Sequence, residues 1–285
     1  KISVAGGQES MTLAPHLLEN SRAGYRMGHT QITDSMIKDG LWDPYSQWHM
    51  GNAAELCVKE KQFTRQQQDD FAIESYKKAQ NAQTEGWFKN EIVPVELQDK
   101  KKGVFFFDKD EEPGKAQFDK MAGLKPAFDK DGTITAANAS KISDGAAALV
   151  LVSESVCQAR KLKPLARIVS HATFAQDPNW FTTAPVGAIK SALNKAKLNI
   201  ADIDFWEINE AFAVVAMTAI KELEIPLDRV NPHGGAIALG HPIGASGCRL
   251  LTTLAYALKT HNKKYGLATL CIGGGEAVAM IIERT

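Results

Sequence analysis

The feature that most constrains this chain is residues 231–251, NPHGGAIALGHPIGASGCRLL, where five glycines sit among apolar residues. Glycine lets the backbone take positive φ or come close to a ligand. Pro242 biases His241 toward an extended or turn conformation. Beyond Ser246 the pattern becomes helical, with Leu250, Leu251, Leu254 and Leu258 at near-helical spacing. A glycine turn therefore presents an imidazole ahead of a buried helix. The commoner glycine loops do not fit. Cys248-Arg249 follows Gly247 where a Walker loop needs Lys and Ser or Thr. The spacing also misses the dinucleotide fingerprint, and Gly244-Ala-Ser-Gly-Cys lacks the last glycine of a nucleophile elbow. Taken alone, the stretch also admits the reading of a packing turn with a surface histidine.

Two further pieces change that balance. Residues 265–283 read as a strand, a triple-glycine turn and a return strand, with Cys271 at the end of the first. A lone buried cysteine is usually a small hydrophobe. Beside exposed backbone amides, with a histidine available, it becomes a candidate thiolate or proton shuttle, and a neighbouring cation or helix N-terminus would lower its pKa. The third piece is Asn209-Glu-Ala-Phe-Ala, after the apolar strand at 203–208, where Asn209 is placed to cap the next helix.

These three pieces, in this order, resemble the thiolase family, whose motifs stand here at 209–212, 234–247 and 271–275. The likeness extends to Ala5-Gly-Gly-Gln-Glu-Ser-Met and Asn138-Ala-Ser-Lys-Ile-Ser-Asp-Gly-Ala-Ala, and is strongest to the biosynthetic acetyl-CoA acetyltransferase branch. One departure is large. The family's acylated cysteine lies a short way before the Ala-Gly-Gly-Gln-Glu-Ser-Met segment, and this chain begins at Lys1-Ile-Ser-Val. None of Cys57, Cys157 or Cys248 matches that position, so the resemblance implies that about a hundred residues, roughly a structural half-domain, are absent.

Thirty-three basic and thirty-three acidic residues cancel, which implies no general affinity for nucleic acid or membranes. Four cysteines without a metal-type Cys-x-x-Cys pair point to a reduced compartment and no disulfide framework, and no metal site is expected. No apolar run reaches the length of a membrane span. A cytoplasmic location is expected, with any targeting segment lying in the missing start.

Residues 12–142 are more polar and predict two regular elements at most: a helix capped by Thr64-Arg-Gln-Gln, and an edge strand at 92–97 that contains Pro94. Lys100-Lys-Lys and residues 108–112 read as solvated loops. The run at 146–152 suits a strand buried on both faces. From 165 onward the order is strand 166–175, helix 186–196, strand 204–208, helix 211–223, helix 247–260 and two final strands. This is an α/β unit with a mixed sheet flanked by helices. The resemblance then implies one complete thiolase half at 164–285, the end of the other half at 1–11 and 143–163, and an inserted loop domain at 12–142 that binds coenzyme A and makes oligomer contacts.

Carried over by motif, Cys271 is the general base and acid at the α-carbon. His241 activates the absent nucleophile and holds the thioester oxygen. Asn209 holds a water in that oxyanion site, and the Gly273 amide serves a second one. Coenzyme A positions are Leu41, His49, Met50, Phe128, Ala136, Ser140, Ala211 and Phe212, mostly apolar as a pantetheine tunnel should be. Lys115 is a candidate for the nucleotide phosphate. His233 stands where many relatives carry asparagine, and His16, His29, His171 and His261 read as surface or packing residues.

The implied activity is the reversible Claisen condensation of two acetyl-CoA to acetoacetyl-CoA and CoA. No cofactor is needed beyond the CoA thioester substrate, and a homo-oligomer, tetramer or dimer, is expected. The alternatives are a degradative 3-ketoacyl-CoA thiolase and a non-enzymatic CoA-binding or assembly fragment. With the nucleophile absent, this chain by itself is expected to be inactive.

Overall fold

A computed structural model describes residues 1–101 and 103–285, so Lys102 of the lysine run lies outside the described residues. Strand β1 (Ile2–Ser10) leads into two short hairpins, β2 (His16–Leu18) with β3 (Ile32–Asp34) and β4 (Trp42–Asp43) with β5 (Trp48–His49), separated by a helical turn at Met36–Leu41. Helices α1 (Met50–Lys61) and α2 (Arg65–Thr84) follow. A third hairpin pairs β6 (Val95–Asp99) with β7 (Gly103–Phe107), ahead of the single turn α3 (Phe118–Met121). Strand β8 (Asp144–Val152) and helix α4 (Glu154–Ala159) precede the second half. That half runs β9 (Ala166–Ala175), α5 (Ala184–Ala196), β10 (Phe205–Ile208), α6 (Ala213–Leu223), α7 (Ala236–Leu239), α8 (Ser246–Thr260), β11 (Tyr265–Ile272) and β12 (Glu276–Arg284).

The second half is the α/β unit that its periodicity predicts. Its sheet has the order β10-β11-β12-β9, with β10 and β11 parallel and the other pairings antiparallel. Side chains alternate between faces along each strand. Trp206, Ile208, Leu267, Ala279 and Ile281 turn toward α5 and α6. Phe205, Ala268 and Ile282 turn toward Leu250, Leu254 and Leu258 of α8. Covered on both sides, β10 is buried at all four positions.

Two expectations are corrected. The run at 146–152 is a strand, but among the described residues it pairs with β1 alone and largely alternates between exposed and half-buried residues, with Val150 71% exposed. Helix α8 packs against this pair from one side only, so the apolar composition of the run does not report burial. Residues 12–142 also hold more structure than predicted. Helix α1 escapes periodicity because the face it buries is built of small residues, Ala53, Ala54 and Cys57, rather than leucines. Strand β7 supplies the partner of the predicted edge strand, which starts one residue after Pro94. Helix α2 begins as expected: Thr64 Oγ1 accepts from the Gln67 amide at 3.2 Å, and Gln67 Oε1 accepts from the Thr64 amide at 2.8 Å.

A buried carboxylate fastens α2 to the second half. Glu210, one residue past Asn209, accepts from Ser75 Oγ on α2 at 2.7 Å, Asn231 Nδ2 at 2.7 Å and the Ile237 amide of α7 at 3.1 Å. Asn231 in turn closes on the Ile208 amide and carbonyl at 2.8 and 2.9 Å. Gly235 must lack a side chain because a Cβ there would strike the Glu210 carboxyl.

Candidate active site

The loop that carries His241 is moulded by close backbone approach. Gly240 has φ +93°, and a Cβ there would strike the Ser143 side chain. A Cβ on Gly145 of β8 would sit 2.7 Å from the Pro242 ring. The His241 amide donates to the Lys141 carbonyl at 3.2 Å, and the Gly244 amide to Glu9 Oε2 at 3.1 Å. The loop is thus clamped between the β1–β8 pair and the segment after Asn138.

The imidazole is held at both nitrogens. Asn209 Nδ2 lies 3.2 Å from Nε2, and Ser246 Oγ lies 2.5 Å from Nδ1. Ser246 has one hydroxyl proton and a second acceptor, the Pro242 carbonyl, at 2.9 Å. When the hydroxyl donates to Pro242, the ring proton sits on Nδ1 and Nε2 offers its lone pair to the Asn209 amide. When it turns to Nδ1, the proton sits on Nε2 and the ring becomes a donor at that atom. Burial, together with the Arg249 cation, pushes the His241 pKa down to about 4, so the ring is neutral at physiological pH. Asn209 is therefore not the cap of α6. That helix starts from Phe212 without a side-chain cap, and the fully buried Asn209 spends its amide on the histidine, its Oδ1 having no partner among the described residues.

Strand pairing brings Cys271 into the same region. The Asn209 amide donates to the Thr269 carbonyl of β11 at 3.0 Å, two residues before Cys271. The expectation of a cation-depressed thiol is corrected: burial pushes the Cys271 pKa up to about 12. Cys271 packs in one apolar cluster with Met50, Ala211 and Phe212, and Phe128 lies against it. His49 stacks on Phe128 at 4.7 Å, and Phe128 meets Phe212 edge-on at 5.8 Å. A Cβ on Gly273 would lie 3.6 Å from Met50 Cε. Ser140 joins through its amide, which donates to the Ala211 carbonyl at 3.0 Å.

Leu41 and Ala136 stand further out. Leu41 ends the helical turn before β4, and Ala136 is exposed, its carbonyl receiving Lys141 Nζ. Lys115 is engaged locally by Glu112 at 2.8 Å and Glu111 at 3.5 Å, which compensates the charge proposed for a phosphate.

Comparison with known proteins decides what this assembly belongs to. Residues 1–155 match the thiolase N-terminal domain and residues 162–284 the thiolase C-terminal domain. The chain is 50% identical over 285 residues to an acetyl-CoA acetyltransferase of Cupriavidus necator, covering all of this chain and 72% of that protein. This chain belongs to the thiolase family. Its structure superposes on the Acat5 thiolase of Ascaris suum, solved in complex with coenzyme A, with a TM-score of 0.92 at 46% identity, and on human mitochondrial 3-ketoacyl-CoA thiolase with 0.95 at 37%. Each comparison covers all of this chain and 72% of the other.

Two features of this thiolase chain were not legible in its sequence. Ser246 and Glu210 hold the site together, and although both lie inside the motifs at 234–247 and 209–212, nothing in the sequence shows which groups they bond. His233 and His261 form a pair, with Nε2 atoms 3.0 Å apart, against Trp87, so His261 is more than a surface residue. His233 is fully buried, and burial, reinforced by His261, pushes its pKa down to about 4 from an ordinary 6.5. The unfolded chain therefore binds this proton first. The stability from a neutral His233 is fully present above pH 6.5 and is lost as pH falls toward 4, by about 3 kcal/mol. Urea unfolding of wild type and His233→Asn between pH 4 and 7 checks this. The wild-type advantage should shrink across that window, and parallel curves would refute it.

Proposed function

We propose that the full-length protein is an acetyl-CoA C-acetyltransferase that runs the reversible condensation of two acetyl-CoA to acetoacetyl-CoA and CoA. The observation that carries this reading is the hydrogen-bonded row Asn209–His241–Ser246, whose Asn209 follows β10 and is bonded to the strand β11 that bears Cys271. In the first half-reaction a nucleophilic thiol takes the acetyl group and CoA leaves. That thiol comes from outside these 285 residues, in keeping with the 72% of the relatives' length that they span. His241, neutral at rest, accepts the nucleophile's proton at Nε2. The departing CoA sulfur takes a proton from Cys271, which leaves Cys271 as a thiolate.

In the second half-reaction that thiolate removes an α-proton from a second acetyl-CoA. A thiol held near 12 is a strong base once ionised, and a weakly acidic C–H requires one. The enolate oxygen is held by His241 with a water on Asn209, a role supported by the unpartnered Asn209 Oδ1. The enolate carbon attacks the acyl carbonyl, whose oxygen is stabilised by the Gly273 amide. Collapse expels the nucleophile as a thiolate, reprotonated by His241, and releases acetoacetyl-CoA. Ping-pong kinetics follow from the acyl intermediate. Met50, Phe128, Ala211 and Phe212 line the acyl and pantetheine path, with His49, Ser140, Leu41 and Ala136 beside it. A homo-oligomer and a cytoplasmic setting complete the proposal; no helix among the described residues is long and apolar enough to cross a membrane.

The second reading, a degradative 3-ketoacyl-CoA thiolase, draws on the likeness to the human enzyme of that name. Thiolysis kinetics with acetoacetyl-CoA and longer 3-ketoacyl-CoA esters separate the two. The full-length protein should favour acetoacetyl-CoA by about tenfold or more in kcat/KM, the scale at which a few methylenes are discriminated. A preference for longer chains would hand the assignment to the degradative reading. Residues 1–285 alone should show no turnover, and measurable thiolysis by them would refute an outside nucleophile.

A further inference from the structure

A second row of side chains stands behind the first. Alternation along β10 places Phe205 and Glu207 on the face covered by α8, and Asn209 continues that row one step past the strand. On α8, Ser246 and Arg249 are three residues apart and share a side of the helix. The front members, Asn209 and Ser246, hold His241. The rear members face each other, with Arg249 Nη1 3.5 Å from Glu207 Oε2.

This rear pair is unusual in its looseness. Buried ion pairs repay their desolvation only with close, hydrogen-bonded geometry, as in a bidentate arginine fork. Glu207 is fully buried, yet neither of its oxygens has a hydrogen-bond partner among the described residues, nor does either Nη of Arg249. A second carboxyl, Glu91, comes in from the segment after α2. Its Oε1 receives Thr253 Oγ1 at 3.4 Å, while Oε2 is buried and unpartnered. Asp110 adds a third acid near Arg249: the residue is exposed as a whole, but burial of its carboxyl pushes its pKa up, opposed by the Arg249 cation. Lys78 on α2 and Glu210 complete the charged groups around Glu207.

We propose that Glu207 is a positioning residue for His241, acting through Arg249: the ionisation of the buried carboxyls decides how much of the guanidinium's positive field reaches the imidazole. The proposal rests on the reading of His241 as catalytic and extends it. Arginine stays charged at every relevant pH, so the carboxyls are the adjustable part. Burial pushes Glu207 up to about 8 and Glu91 up to about 7, each opposed by Arg249. Near neutrality the cation is thus only partly compensated, and the remainder helps to keep the ring unprotonated and ready to accept a proton. A tight, fully ionised pair would cancel that field.

The test follows the His241 ring directly. In the full-length protein, the His241 ring-proton NMR signal is assigned with His241→Gln and titrated in wild type, Glu207→Gln, Arg249→Gln/Glu207→Gln and Arg249→Lys. His241 titrates near 4, where Glu207 and Glu91 are already protonated, so Glu207→Gln should leave that titration in place and instead remove a second inflection of the His241 signal near pH 8, where the Glu207 carboxyl ionises in wild type. The double variant also removes the cation and should move the His241 titration to higher pH by about half to one pH unit. Arg249→Lys keeps the cation and should restore the wild-type position even if stability falls. A merely structural pair would change stability and leave the titrations coincident, and that result would overturn the proposal. Loss of the catalytic reading would look different: His241→Gln would keep its condensation rate whatever the titrations show.

Discussion

Replacing Cys271 with serine in the full-length protein should abolish exchange of the acetyl-CoA methyl protons with D2O and slow acetoacetyl-CoA formation by about a thousandfold. The two side chains are close in size, and Cys271 is buried among Met50, Ala211 and Phe212, so the pocket should survive the change. What is lost is the acid–base couple. A thiol near 12 is already at the upper end of what this site can ionise, and a hydroxyl in the same desolvated place would stay protonated throughout the cycle. The packed rings of His49, Phe128 and Phe212, proposed above to border the substrate path, are untouched, so KM should stay within about threefold while kcat collapses. Proton exchange reports on the base without requiring the condensation step. Exchange within about tenfold of wild type would remove Cys271 from its role, since general-base losses are larger than that.

The largest structural effect is expected at Glu210. Glu210→Ala strands three buried donors at once, the Ser75 hydroxyl, the Asn231 amide and the Ile237 backbone N–H. Each unpaired donor costs about 1–3 kcal/mol, so a total near 4 kcal/mol is expected, or about 10 °C in Tm for a chain of this size. Glu210→Gln keeps an acceptor for part of the set but turns an NH2 toward a donor, and should fall between. Calorimetry of the three proteins orders them; an alanine variant as stable as wild type would show that water satisfies those donors instead. Because Asn231 also ties down Ile208, the alanine variant should lose activity along with stability.

Much of the active site was legible because its chemistry sits where glycine marks the chain. The loop before α8, the triple-glycine turn and the Asn-Glu-Ala-Phe segment each carry a local signature, and strands β9 to β12 fall within a residue or two of where periodicity puts them. What sequence could not supply is anything decided across the fold. Asn209 has the position of a helix cap, and only the approach of His241 shows that its amide is engaged elsewhere. The raised pKa of Cys271 is a property of the residues packed around it, which no neighbour in sequence announces. Helix α1 hid behind alanines, and the exposure of β8 depends on having one partner strand rather than two. Glu207 and Arg249 illustrate the limit well: each looks like an ordinary surface charge until β10 and α8 are laid side by side.

The sheet and the segment at 12–142 contribute different kinds of atoms to the candidate site. The groups proposed to handle protons stand on strand ends and on the loop before α8, locked by β10–β11 pairing and by the clamp on His241. The aromatic and thioether wall of His49, Met50 and Phe128 comes from a separate stretch of chain, attached through α2, Glu210 and the Phe212 edge contact. Such a division lets evolution rewrite what the site accepts by editing one segment, while the reaction itself is inherited intact from the other.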